Sequence, residues 1–120
     1  MGEIARNKLD RVDTNVGKII DAFLTDSKIA SMPGFVGTVG TTSVVVLNAN
    51  EKRVYAIMVN DSLQDMWLGF GEPAVADKGI RVNSEGGNYE ITWKNLFVGT
   101  LSAIAKSANV LMTGVDGYGN

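Results

Sequence analysis

Apolar residues recur along residues 3–28 at Ala5, Leu9, Val12, Val16, Ile19 and Phe23, with successive spacings of 4, 3, 4, 3 and 4. This is the heptad seam of a coiled coil, and it predicts an amphipathic α-helix with one apolar face about three heptads long. The remaining positions are polar (Arg6, Lys8, Asp10, Arg11, Asp13, Asn15, Lys18, Asp21), so the helix needs a partner on one side only. Gly17 costs roughly 1 kcal/mol against alanine inside a helix, and Thr14-Asn15 add little propensity, so association or docking should order it. Three arrangements satisfy the seam: packing on its own domain, self-association, or docking on another protein.

The pattern then changes. Residues 31–43, SMPGFVGTVGTTS, contain Pro33, Gly34, Gly37 and Gly40 and read as a joint where a helix stops and the chain turns or runs extended. Beyond it come seven candidate strands: SVVVLN (43–48), RVYAIMVN (53–60), DMWLGF (65–70), GIRVN (79–83), YEITW (89–93), VGTLSAIAK (98–106) and NVLMTGV (109–115). In the second, Val54, Ala56 and Met58 share one face and Tyr55, Ile57 and Val59 the other, which suits a central or interfacial strand. Tyr89, Ile91 and Trp93 share a face of a half-buried strand. Short breaks rich in Asn, Asp, Ser and Gly separate the strands, and short connections join antiparallel neighbours. The expected fold is mainly β: an antiparallel β-sandwich, jelly-roll or Ig-like, of about seven strands, preceded by an N-terminal amphipathic α-helix. The domain plan is 1–30 helix, 31–43 glycine-rich joint and 44–120 β-sandwich.

Composition narrows the chemistry. The chain has 120 residues, enough for one domain, and its 45% hydrophobic and 20% charged content suits a packed core. Eleven Lys+Arg against thirteen Asp+Glu give a net charge of −2, with no basic excess to neutralise a phosphate backbone, so nucleic acid is not an expected partner. Histidine and cysteine are absent, which removes disulfides, thiolate metal sites, Cys nucleophiles and imidazole acid–base catalysis. The charged N-terminus lacks a signal-peptide core, and no apolar run is long enough to span a bilayer, so synthesis in the cytosol and no membrane contact are expected.

Asp61, Asp65, Glu72 and Asp77 cluster in loops around one strand, but their spacing matches no calcium loop, and solvated loop acids are the expected reading. Glu85 and Glu90 would need opposed positions across a sugar-sized cleft to act as a glycosidase pair. LGFGEP lacks the strand–glycine–helix setting of a dinucleotide fingerprint. The rings Tyr55, Trp67, Phe70, Tyr89, Trp93 and Phe97 are mostly core in a domain this small, with Trp67 and Tyr118 the candidate surface contacts. No catalytic residue, cofactor or metal site is expected.

Several runs taken together (Asn48-Ala49-Asn50-Glu51-Lys52-Arg53, Ile57-Met58-Val59-Asn60-Asp61-Ser62, Trp67-Leu68-Gly69-Phe70-Gly71, Lys78-Gly79-Ile80-Arg81, Gly86-Gly87-Asn88-Tyr89-Glu90-Ile91-Thr92 and Ala103-Ile104-Ala105) resemble small virion proteins of tailed bacteriophages with a β-sandwich head. The resemblance covers roughly residues 45–118, about 60% of the chain. It implies a virion structural protein made in the host cytoplasm, a capsid decoration, head-fibre or spike component, and carries over no catalytic or binding residue. On this reading Leu9, Val12, Val16, Ile19 and Phe23 form the oligomer or docking interface. The expected partners are further copies, with a trimer favoured, and other virion proteins such as the major capsid protein. A carbohydrate-binding module for a cell-surface glycan and a tail or neck adaptor are the alternatives.

Overall fold

Short apolar runs separated by turns rich in Gly, Asn, Asp and Ser become eight strands in the computed structural model, which describes residues 28–120. The N-terminal helix and its seam residues Leu9, Val12, Val16, Ile19 and Phe23 lie outside the described residues. In chain order the strands are β1 (Gly34–Val39), β2 (Val44–Leu47), β3 (Arg53–Asn60), β4 (Met66–Phe70), β5 (Ile80–Val82), β6 (Asn88–Ile91), β7 (Leu101–Ala105) and β8 (Val110–Tyr118). They form two four-stranded sheets, ordered β1-β8-β3-β6 and β2-β7-β4-β5, and every pairing is antiparallel. The pairs β1–β8, β2–β7, β3–β6 and β4–β5 are nested, so the chain runs out and returns along itself before β3–β8 and β4–β7 close the sheets.

One apolar cluster takes a buried residue from every strand. Val39, Ala56, Met58, Ile91, Val110 and Met112 enter it from the first sheet; Leu47, Met66, Leu68, Val82, Leu101, Ala103 and Ala105 enter from the second. The two sheets therefore share one core in a sandwich-like arrangement. Three fully buried methionines, Met58, Met66 and Met112, fill its middle, where an unbranched side chain adapts to irregular gaps. Phe70 packs edge-on against Tyr89 and Phe97, with ring centroids 5.5 and 5.3 Å apart, and closes one part of the core.

The seven strands expected from 43 onward correspond to β2–β8, and the eighth lies in the segment read as a joint. There β1 pairs with β8 over six positions, from Gly34↔Val115 to Val39↔Val110. Its alternation is real but is carried partly by glycine: Phe35, Gly37 and Val39 are the more buried positions, and Val36 and Thr38 the exposed ones. A glycine is needed opposite it as well. A Cβ on Gly114 would collide with the Ile57 carbonyl oxygen and meet the Phe35 ring at 2.8 Å, so close strand packing replaces a side chain.

Arg53 departs from the expected period of β3. The register steps irregularly between Arg53 and Tyr55, a bulge that turns Arg53 inward alongside Ala56 and Met58. Only 1% of Arg53 is exposed, and all five guanidinium protons have acceptors. Nε donates to Asp116 Oδ1 at 2.8 Å and Nη2 to Asp116 Oδ2 at 3.3 Å, a bidentate pair. Nη1 donates to the carbonyls of Phe97 (3.1 Å) and Gly99 (3.0 Å), and Nη2 to that of Asn48 (2.6 Å). One side chain thus holds β3, β8, the β2–β3 loop and the β6–β7 connection. At the other end of β3, fully buried Asn60 does the same for its loops: Nδ2 donates to the Gln64 and Val82 carbonyls, and Oδ1 accepts from the Ser62 amide and hydroxyl.

Asp116→Ala should cost about 3–5 kcal/mol, because it strands a buried guanidinium without its counter-charge. Urea unfolding followed by circular dichroism measures this, and a loss below about 1 kcal/mol would show that the pair is dispensable.

Candidate functional site

The carboxylates of interest are engaged in local structure. Asp61 accepts a short hydrogen bond from the Thr113 hydroxyl, joining the start of the β3–β4 loop to β8. Asp65 Oδ1 caps the Ser84 amide at 2.9 Å, and Asp77 pairs with Lys106 at 2.8 Å with both side chains largely exposed. Glu72 lies in the β4–β5 connection, whose backbone at Glu72 and Ala74 folds over Gly69 so closely that a Cβ there would meet the Glu72 carbonyl oxygen at 2.5 Å. Glu85 sits at positive φ (58°) in the β5–β6 turn, and Glu90 is exposed on β6 and accepts from Tyr55. Among the described residues no three His, Cys, Asp or Glu side chains are grouped to hold a metal ion.

Trp67 does not offer the surface expected of it. Its neighbours Met66 and Leu68 point into the core, so its ring lies on the outer face of the second sheet, yet only 8% of the residue is exposed. Arg81 and Ile104 flank it across β5 and β7, and the Lys106 ammonium stands 5.3 Å from the ring centroid. The indole therefore packs under Lys106, which in turn pairs with Asp77 of the β4–β5 connection. Tyr118 ends β8 half-buried, and its carbonyl accepts from the Ala30 and Ser31 amides while its own amide donates to Ser31. That anchors the chain just before β1 against the last strand.

The exposed indole is Trp93, at 72%. The sequence pattern extends the strand through Trp93, but β6 ends at Ile91 and the chain turns. Asn95 pins that turn: its Oδ1 accepts from the Thr92 amide (2.7 Å) and hydroxyl (3.1 Å), and its Nδ2 donates to the Glu90 carbonyl (2.9 Å) and the Tyr89 hydroxyl (3.2 Å). Trp93 is left projecting from a braced loop, with the Lys94 ammonium 5.6 Å from its ring centroid and Leu96 exposed close by in sequence. The Thr-x-x-Asn spacing after an apolar strand end was the available signal for this turn.

A cavity of about 320 Å³ opens between β1 and β2, lined by Pro33, Phe35, Val46, Asn48, Asn50 and Asp116 among others. Asp116 is its charged group, and that carboxylate is already held by Arg53. The described surface also carries exposed apolar side chains: Val36, Val45, Leu63, Val75 and Trp93 are all more than half exposed. Such a surface is suited to contact with another macromolecule. Among the described residues no helix is long and apolar enough to cross a membrane. Comparison of the chain with protein-family models, with curated proteins and with solved structures finds no match.

The outer face of the first sheet carries one perturbed group. Tyr55 donates to Glu90 Oε2 at 2.6 Å, and this bond, together with some burial and the carboxylate's charge, holds the phenol above its ordinary value of 10.0. The folded chain therefore keeps this proton to higher pH than the unfolded chain does. The contribution is whole below about pH 10 and is lost as pH rises further. Tyr55→Phe should accordingly flatten the fall in melting temperature above about pH 10, and parallel curves for the two proteins would refute the link.

Proposed function

We propose that this chain is a non-enzymatic structural protein of a tailed-bacteriophage virion, a capsid decoration, head-fibre or spike component that self-associates and docks on other virion proteins. The observation that carries the reading is the strand order. Eight strands in nested pairs, arranged β1-β8-β3-β6 and β2-β7-β4-β5, favour the jelly-roll form of the sandwich over the seven-stranded Ig-like form. Jelly rolls recur in viral capsid and lectin domains, but fold alone does not assign function. The resemblance of residues 45–118 to small phage virion proteins adds the direction, and the exposed apolar surface suits a chain whose work is adhesion.

On this reading residues 1–30 are the assembly element. Leu9, Val12, Val16, Ile19 and Phe23 bury their side chains against other copies, three-fold closure being favoured, or against a partner such as the major capsid protein. Each seam side chain removes apolar area worth roughly 1.5–3 kcal/mol when fully buried. The protein is made in the host cytoplasm and ends in the particle.

Trp93 favours a second reading, binding of a cell-surface glycan, because an exposed indole on a braced turn is a platform for a sugar face. Titrating glycans against tryptophan fluorescence separates the two, since loss of a saturable response in Trp93→Ala would support the glycan role.

Light scattering on the full chain tests the structural role. The native chain should run as an oligomer, and Val16→Asp with Ile19→Asp should reduce it to a monomer with an unchanged urea midpoint. An oligomer that survives both substitutions would overturn the seam as the assembly element.

A further inference from the structure

Sheet edges expose unpaired backbone groups, and soluble proteins guard them with charges, proline or very short strands. The two sides of this sandwich are guarded unequally. On one side, β5 is three residues long and carries Arg81, and β6 carries Glu90. On the other side, β1 pairs only with β8 and β2 only with β7 among the described strands, and neither edge strand contains a charged residue. The uncharged stretch runs well past both strands: no Asp, Glu, Lys or Arg occurs from Ile29 to Asn50, in a chain where 20% of residues are charged. Pro33 stands before β1 and leaves the strand itself unprotected.

The same side is apolar and hollow. Val36, 72% exposed, borders this edge on the outer face of the first sheet, and Val45, 51% exposed, borders it on the outer face of the second; Met32 and Val44 are exposed as well. The cavity of about 320 Å³ lies between its two strands, with Pro33, Phe35 and Val46 in its wall beside the polar Asn48, Asn50 and Asp116. A surface of this kind in a free monomer is an aggregation hazard.

We propose that the β1/β2 side is an interface that packs against the same side of a second copy of this chain, deepening the self-association reading above and resting on it. A second copy fits because the two edge strands carry no charge and Asp116 in the cavity wall is already paired with Arg53, so a charged partner has nothing to complement while another uncharged edge matches it. The net charge of −2 leaves little repulsion between copies. The chain outside the described residues points the same way. The seam ends at Phe23 and β1 begins at Gly34, so association at the seam brings the β1/β2 sides of neighbouring copies within reach. Such linkage raises the effective concentration of the second contact to about the millimolar range.

Sedimentation equilibrium on the full chain tests this, comparing the native protein with Val36→Lys plus Val45→Lys and, separately, with Val16→Asp plus Ile19→Asp. The expected result is at least a tenfold loss of association constant in the edge variant, with the circular-dichroism melt retained. Amide exchange in Gly34–Val39 and Val44–Leu47 should also quicken in the edge variant. Thr38→Lys, at an exposed polar position of β1, replaces the double variant if that one fails to fold. Association at native strength in the folded edge variant overturns the proposal even where the seam variant dissociates, and the seam reading then stands alone. Dissociation by the edge lysines with no effect of the seam variant supports the proposal and overturns the seam. A native chain that is monomeric at all concentrations overturns both.

Discussion

A guanidinium buried to 1% exposure demands five acceptors and a counter-charge, and the surroundings of Arg53 are organised to supply them. Asp116 must come from the last strand, and the carbonyls of Asn48, Phe97 and Gly99 from two separate connections. None of these groups can move without leaving a charged donor unpaired in a region with little water. The arginine thus fixes the register of β3 against β8 and places the connections that link the two sheets. Nonpolar packing in the shared core can tolerate a substitution of similar volume, whereas this network has no partial solution.

From that fixed centre the surfaces are built outward. The central pair β3–β8 aligns the long strands, Asn60 gathers the loops at the far end of β3, and the outer face of the second sheet is closed by the β4–β5 connection over Gly69. The loop carboxylates cap backbone amides, accept from hydroxyls or pair with Lys106, and Asp116 is spent on Arg53. Among the described residues, the β1 and β2 edge strands and the indole of Trp93 on its braced turn face outward. Both are contact surfaces, which is why the proposed role is one of adhesion.

Local sequence carried the strands from β2 to β8, because alternation and turn chemistry act over a few residues and both are dense after residue 43. Asn109 and Glu85, at φ of 60° and 58°, sit in turns that the Asn and Gly clusters announce. The same local rules misread residues 31–43. Gly34 and Gly37 suggest a joint, and they are strand residues because β1 pairs with β8, some 80 positions away, where Gly114 leaves room for the Phe35 ring. Trp67 and Trp93 were exchanged in the same way: the period places rings on faces, but Lys106 and the cross-strand neighbours Arg81 and Ile104 flank one, and the Asn95 turn releases the other.

The sequence by itself determined a mainly β chain with short antiparallel connections, the absence of thiol and imidazole chemistry, and an N-terminal heptad seam distinct from the β-patterned remainder of the chain. These depend on composition and on periods of two or 3.5 residues, which are visible without contacts. Tertiary structure alone decided that β1 joins β8, that a bulge turns Arg53 inward to Asp116, and that the uncharged strands β1 and β2 meet along one side. Each of these joins residues far apart in the chain, and the free energy that selects them comes from burial and charge pairing across the fold, which no local pattern records.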